Sequence, residues 1–157
     1  LFNKKGKKML YAAYGSNLNH DQMARRCPQA KFVGVGVLEK YKLVFRGVAD
    51  IEFSKKGNVP VGLWDITSDC LMRLDAYEGY PTMYGREVVN IRVDDEEVDA
   101  IVYYMNSRGY ASPTTSYFNA IKDGYEHCGI KLSKLYAALE DTKHNYYMEC
   151  AYANPSY

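Results

Sequence analysis

Hydrophobic positions recur with two different periods along this chain. Through the first two thirds they gather in short runs of Val, Leu, Ile, Phe and Tyr bounded by Gly, Pro, Asn and Asp, which is strand patterning. Strands are predicted at Leu10–Tyr14, at Lys31–Gly47 (one long or two short), and at Asn58–Ile66. Tyr84–Val93 and Glu97–Met105 alternate on either side of Asp94-Asp95-Glu96 and predict a hairpin. Gly34 and Gly36 fit close strand packing or a bulge, since no third glycine or Lys-Ser/Thr follows to build a phosphate loop. A short helix is expected through Asp21–Arg26, capped by Asn19 or Asp21 and ended by Cys27-Pro28. Later, Phe118, Ile121, Tyr125 and Cys128 recur at helical spacing, with Gly129 as the stop. A further helix is expected through Ser133–Lys143, and the tail from Asn145 to Tyr157 is aromatic without a clear period. Strands early and helices late make an α+β fold, with a curved or closed sheet and helices packed outside it.

The length of 157 residues suits one domain with a real core. No repeat, low-complexity segment or linker divides it, so residues 9–157 read as a single domain. Residues 1–8 hold the basic cluster Asn3–Lys8 and begin without Met, and read as a flexible arm or an addition ahead of a start at Met9. A net charge of +1 predicts no bulk attraction to nucleic acid or to an anionic membrane. No apolar run approaches the roughly 18 residues that span a bilayer. Cys27, Cys70, Cys128 and Cys150 are far apart, and His20, His127 and His144 form no ligand set. Neither a metal site nor a disulfide framework is expected, and reduced cysteines fit a cytoplasmic protein. The 16 tyrosines against 5 phenylalanines suit a polar pocket lined by rings, although any single tyrosine more often faces outward from a strand.

Two stretches carry candidate chemistry. The strand Leu10–Tyr14 breaks at Gly15-Ser16-Asn17 and passes straight into helical sequence. Such a turn is a helix cap, or a nest of backbone N–H groups open to an anion or a carbonyl oxygen. The helix within Thr67–Pro81, capped by Ser68 and stopped by Gly79 and Pro81, has Leu71 and Leu74 on its inner face. Three and four residues on, that face continues to Tyr77 and Glu78, while Asp69, Arg73 and Asp75 fall elsewhere and read as solvent groups. A carboxylate on an apolar stripe is costly, so burial should raise its pKa and make it a general acid or base near neutrality. The other reading is that Glu78 swings to the rim and meets an arginine such as Arg86.

"YAAYGSNL", "LDAYEGYP" and "PTTSYFNAIKDGYEHCGI", in that order, resemble the γ-glutamylcyclotransferase family, which includes the AIG2-like proteins. The likeness runs from about Leu10 to Leu139, and the Tyr-Gly-Ser-Asn turn followed by a helix-terminal Asp-x-x-Glu-Gly is its specific part. The resemblance implies a small mixed β-barrel with flanking helices. It implies release of an amino acid or amine from a γ-glutamyl compound with formation of 5-oxoproline. It assigns the catalytic glutamate to Glu78, the substrate-holding loop to Tyr14, Gly15, Ser16, Asn17 and Leu18, and a substrate-binding tyrosine to Tyr117.

In that reaction the substrate's α-amine attacks its own γ-carbonyl. No protein nucleophile, metal or cofactor is then needed, and holding the chain folded can lower the barrier by several kcal/mol, with ideal cases near 7–11. An α-amine with a pKa of about 7.7–8.0 is mostly protonated at neutral pH, so a base must take its proton. Glu78 is the candidate for that base, and the same group could return the proton to the leaving amine. The turn's N–H groups suit the oxyanion and the α-carboxylate, Tyr117 is a hydroxyl donor or a packing residue, and Arg46 and Arg86 are further anion-binding candidates. The leaving group stays open between an amino acid, an amine, and a biosynthetic intermediate protected by a γ-glutamyl group. A non-catalytic module binding a small anion or acyl group is the alternative from another class.

Overall fold

In the computed structural model, residues 8–153 are described. The expected arm falls almost wholly in residues 1–7, outside the described part, as do tail residues 154–157. Five strands close a barrel in the order β1-β3-β2-β4-β5. They are β1 (Met9–Ala13), β2 (Lys31–Phe45), β3 (Ala49–Ile66), β4 (Tyr84–Val93) and β5 (Glu96–Met105). Neighbours run antiparallel except β1 and β5, which close the barrel in parallel at Tyr11 and Ile101. Four helices flank it: α1 (His20–Arg26), α2 (Ser68–Glu78), α3 (Thr115–His127) and α4 (Ser133–Ala153).

The long hairpin of β2 and β3 extends the sequence expectation. β3 starts at Ala49 rather than Asn58, because Ala49–Phe53 folds back on Tyr41–Phe45 around Gly47. From there β3 runs on through Glu52, Ser54, Lys55 and Lys56, whose polarity hides the strand. The register shifts between Phe32 and Gly34, where a bulge was one of the two expected roles for a glycine, and again between Glu39 and Tyr41.

Two helix boundaries also differ. Thr67, not Ser68, caps α2: its hydroxyl accepts the Cys70 N–H at 3.1 Å, and Ser68 is the first helical residue. At the other end Gly79 takes the left-handed conformation (φ 68°) and lets the Tyr80 N–H reach the Asp75 carbonyl at 2.9 Å. α4 runs on to Ala153, well past Lys143. Its buried residues are Leu135, Ala138 and Thr142, so its last turns are solvated and leave no apolar period to read.

One continuous core joins the barrel to the helices. Tyr11, Ala13, Phe45, Leu63, Trp64, Leu71, Leu74, Ile101, Ile121 and Tyr125 all belong to it. Ala100–Tyr103 are buried in succession, since both faces of β5 are covered. α3 presses so closely on the turn after β1 that a Cβ on Gly124 would stand 2.6 Å from the Leu18 carbonyl carbon. Only glycine allows that approach, and it fixes the turn against the barrel mouth.

Candidate active site

The turn leaving β1 is built from the inside out. Tyr14, buried, donates its hydroxyl to the Tyr103 carbonyl on β5 at 2.8 Å. Ser16–Leu18 then form a single 3-10 turn, with the Leu18 N–H on the Gly15 carbonyl and the Asn19 N–H on the Ser16 carbonyl, both at 3.0 Å. The N–H groups of Ser16 and Asn17 precede that first bond and so have no acceptor within the turn. The Trp64 indole N–H holds the Asn17 carbonyl at 3.1 Å. The Asn17 amide donates to the Tyr11 hydroxyl at 3.1 Å, and its Oδ1 accepts from Arg26. Asn19 caps α1 by accepting the Gln22 N–H and ties the turn to α3 through the Ala120 carbonyl. This small segment is therefore pinned by β3, β5, α1 and α3 together.

Gly15 faces a tight wall. A Cβ there would lie 3.0 Å from the Ala49 Cβ and 3.5 Å from the Tyr117 hydroxyl, so glycine keeps the backbone open to the space beside it. Its φ of −116° is one that any residue adopts, so close approach is what glycine supplies here. Tyr117, in the first turn of α3, accepts the Ala49 N–H on its phenol oxygen at 3.0 Å. The Ser16 side chain is a second hydrogen-bond partner of the same phenol.

Glu78 is the last residue of α2 and half-buried. Burial pushes its carboxyl up to about 7, against the opposing field of Arg26. Its charge acts on the phenols of Tyr11, Tyr14, Tyr84 and Tyr117, each of which it makes harder to ionise. A cavity of about 280 Å³ brings Glu78, Tyr14, Gly15, Ser16, Asn17 and Tyr117 onto one wall system. Leu18 does not line it; its side chain is fully buried and packs behind the turn, toward Gly62.

Several residues join the site that the sequence did not single out. Tyr11, Tyr84 and Tyr103, with Tyr77, which the helical period placed on the inner face beside Glu78 but which is half exposed, complete a set of six tyrosines around the cavity, out of sixteen in the chain. The tyrosine surplus was their signal, but period alone does not say which of them converge. Asp75 is not a solvent group: it accepts the Tyr103 hydroxyl at 2.6 Å and Arg86 Nε at 2.9 Å. Arg86 is thereby spoken for and does not pair with Glu78. Arg46 is likewise held by Asp50 at 2.7 Å and Glu52 at 3.0 Å. Neither arginine lines the cavity.

A family model described as gamma-glutamyl cyclotransferase, AIG2-like, matches residues 11–124, a span that holds the turn, α2 and Tyr117. The gamma-glutamylcyclotransferase of Bos taurus is 29% identical over 141 residues, covering 81% of this chain and 75% of the relative. That of Homo sapiens is 30% identical over 139 residues, covering 78% and 73%. A solved structure of a gamma-glutamyl cyclotransferase superposes with a TM-score of 0.75 at 27% identity, covering 87% of each chain.

Proposed function

The chain belongs to the gamma-glutamyl cyclotransferase, AIG2-like family of enzymes, and from that premise we propose that it cyclises γ-glutamyl compounds with Glu78 as acid and base. The substrate's α-nitrogen attacks its own γ-carbonyl carbon, and a tetrahedral intermediate forms. The bond from that carbon to the leaving nitrogen then breaks, giving 5-oxoproline and a free amino acid or amine. Glu78 takes a proton from the substrate ammonium before attack and delivers it to the departing nitrogen, and the second proton shed by the ring nitrogen ends on the released amine, which leaves as its ammonium.

The observation that carries the reading is the Glu78 carboxyl, raised to about 7 in a cavity whose other wall is the Gly15–Asn17 turn. A group with that pKa is divided between carboxylate and acid at neutral pH, and the reaction uses both forms in turn. The free N–H groups of the turn and the Tyr117 hydroxyl are donors for the substrate's oxyanion and α-carboxylate. The rings of Tyr11, Tyr84 and Tyr103 hold the glutamyl chain in its folded, near-attack shape. Leu18 then contributes through packing, and Tyr14 through its hold on β5.

The test is chemical. Incubated with a panel of γ-glutamyl dipeptides and γ-glutamylamines, the protein is expected to release 5-oxoproline. Glu78→Gln, which keeps the shape and removes the base, should slow that release by about 10²–10⁴-fold. Turnover by Glu78→Gln at the wild-type rate would end this mechanism. Saturable binding across the panel without turnover would favour a binding module instead.

A further inference from the structure

We propose that Arg26 is a positioning residue of this site: it clamps the Gly15–Asn17 turn to the end of α2 and supplies the cationic field that acts on Glu78. The inference rests on Glu78 being the acid–base group. Arg26 is the last residue of α1, and its guanidinium reaches across two elements. One nitrogen donates to the Ser16 hydroxyl at 3.3 Å and to the Asn17 Oδ1. The other donates to the Tyr77 hydroxyl, one residue before Glu78. The guanidinium plane also lies over the Tyr77 ring, 3.5 Å from its centroid. A planar fork that bonds at two ends and stacks on a ring fits this geometry, and an ammonium does not.

Arg26 itself is not on the cavity wall, so it acts through what it holds. Around Glu78 stand the phenols of Tyr11 and Tyr14 from β1, Tyr84 from β4 and Tyr117 from α3. All are neutral in the working range, because each is harder to ionise than an ordinary tyrosine. The nearby carboxylates are matched by other arginines, Asp50 by Arg46 and Asp75 by Arg86. Arg26 is the cation whose field lowers the Glu78 carboxyl against the effect of burial. The same contacts that hold the substrate-side turn therefore also keep part of Glu78 in its carboxylate form near neutrality.

Two readouts separate the clamp from the field. In Arg26→Gln, the Glu78 carboxyl, followed by carbon-13 NMR titration, should ionise at higher pH than in the wild type. The acid limb of kcat/KM should move upward with it. The alkaline limb, set by the substrate's own amine, should stay in place. Arg26→Lys keeps the charge without the fork: its acid limb should sit near the wild-type position while kcat/KM stays low. A Glu78 titration in Arg26→Gln that overlays the wild type would overturn the field, and full kcat/KM in Arg26→Lys would overturn the clamp. If Arg26→Gln does not fold by circular dichroism, Arg26→Met, which keeps the length and removes the charge, replaces it in the titration, and Arg26→Lys still decides the clamp. The titration needs no turnover, so its outcome stands apart from whether Glu78 is the base.

Discussion

At the scale of single residues, Glu78 shows what the site costs the fold. Folding raises its carboxyl from the ordinary 4.5 to about 7, with burial as the cause. Between those pH values the folded chain keeps a proton that the unfolded chain has lost. Stability from this group is therefore complete below pH 4.5 and is lost as pH rises through 7. The amide that replaces the carboxyl in Glu78→Gln carries no such charge. Urea unfolding of Glu78→Gln at pH 8 should accordingly give a higher stability than the wild type, by up to roughly 3 kcal/mol, and the two should converge near pH 4. A gap independent of pH would mean that the carboxyl is not held in an unfavourable place. This residue was legible beforehand, because a carboxylate in register with Leu71 and Leu74 breaks the helix pattern by itself. Asp75 was not. Its partners Arg86 and Tyr103 lie on β4 and β5, and helical period cannot see across to a strand.

Elements bring these residues together, and α3 shows how. Its Gly124 lets it sit against the turn after β1, and its Tyr117 bonds the backbone at Ala49, the first residue of β3. The residue thus has a structural role, and its phenol lines the cavity as well. Tyr117→Phe removes the acceptor for the Ala49 N–H and should lower stability by about 1–3 kcal/mol in a denaturant titration. If its O–H also reaches the substrate, kcat/KM should fall as well, by up to about 10²–10³-fold. Lowered stability with unchanged turnover would leave Tyr117 a packing residue only. The strand and helix rhythms announced most elements, because each buries at least one apolar face. They failed where that face is absent. Past the buried Ala49–Ile51, β3 continues through the polar stretch Glu52–Lys56, and the end of α4 is helical with almost nothing buried.

At the scale of the whole molecule, the barrel closes by setting β1 against β5, so the first strand meets one some ninety residues later, with Tyr11 facing Ile101. That closure carries the turn after β1 to the end of α2 and rings the space between them with six tyrosines. No local pattern encodes such a meeting. What the sequence supplied was the two ends of it: the Gly-Ser-Asn break and the misplaced carboxylate, far apart in the chain and joined only by resemblance to a family. Among the described residues no helix is long and apolar enough to cross a membrane. If the turn and Glu78 act on one small molecule, a crystal structure with 5-oxoproline bound will show both against it. The ring is expected in this cavity, its oxygens on the Ser16 and Asn17 N–H groups or the Tyr117 hydroxyl, and its nitrogen within hydrogen-bond reach of Glu78. A ring bound away from Glu78, or a turn that makes no contact with it, would mean that the two do not share a substrate.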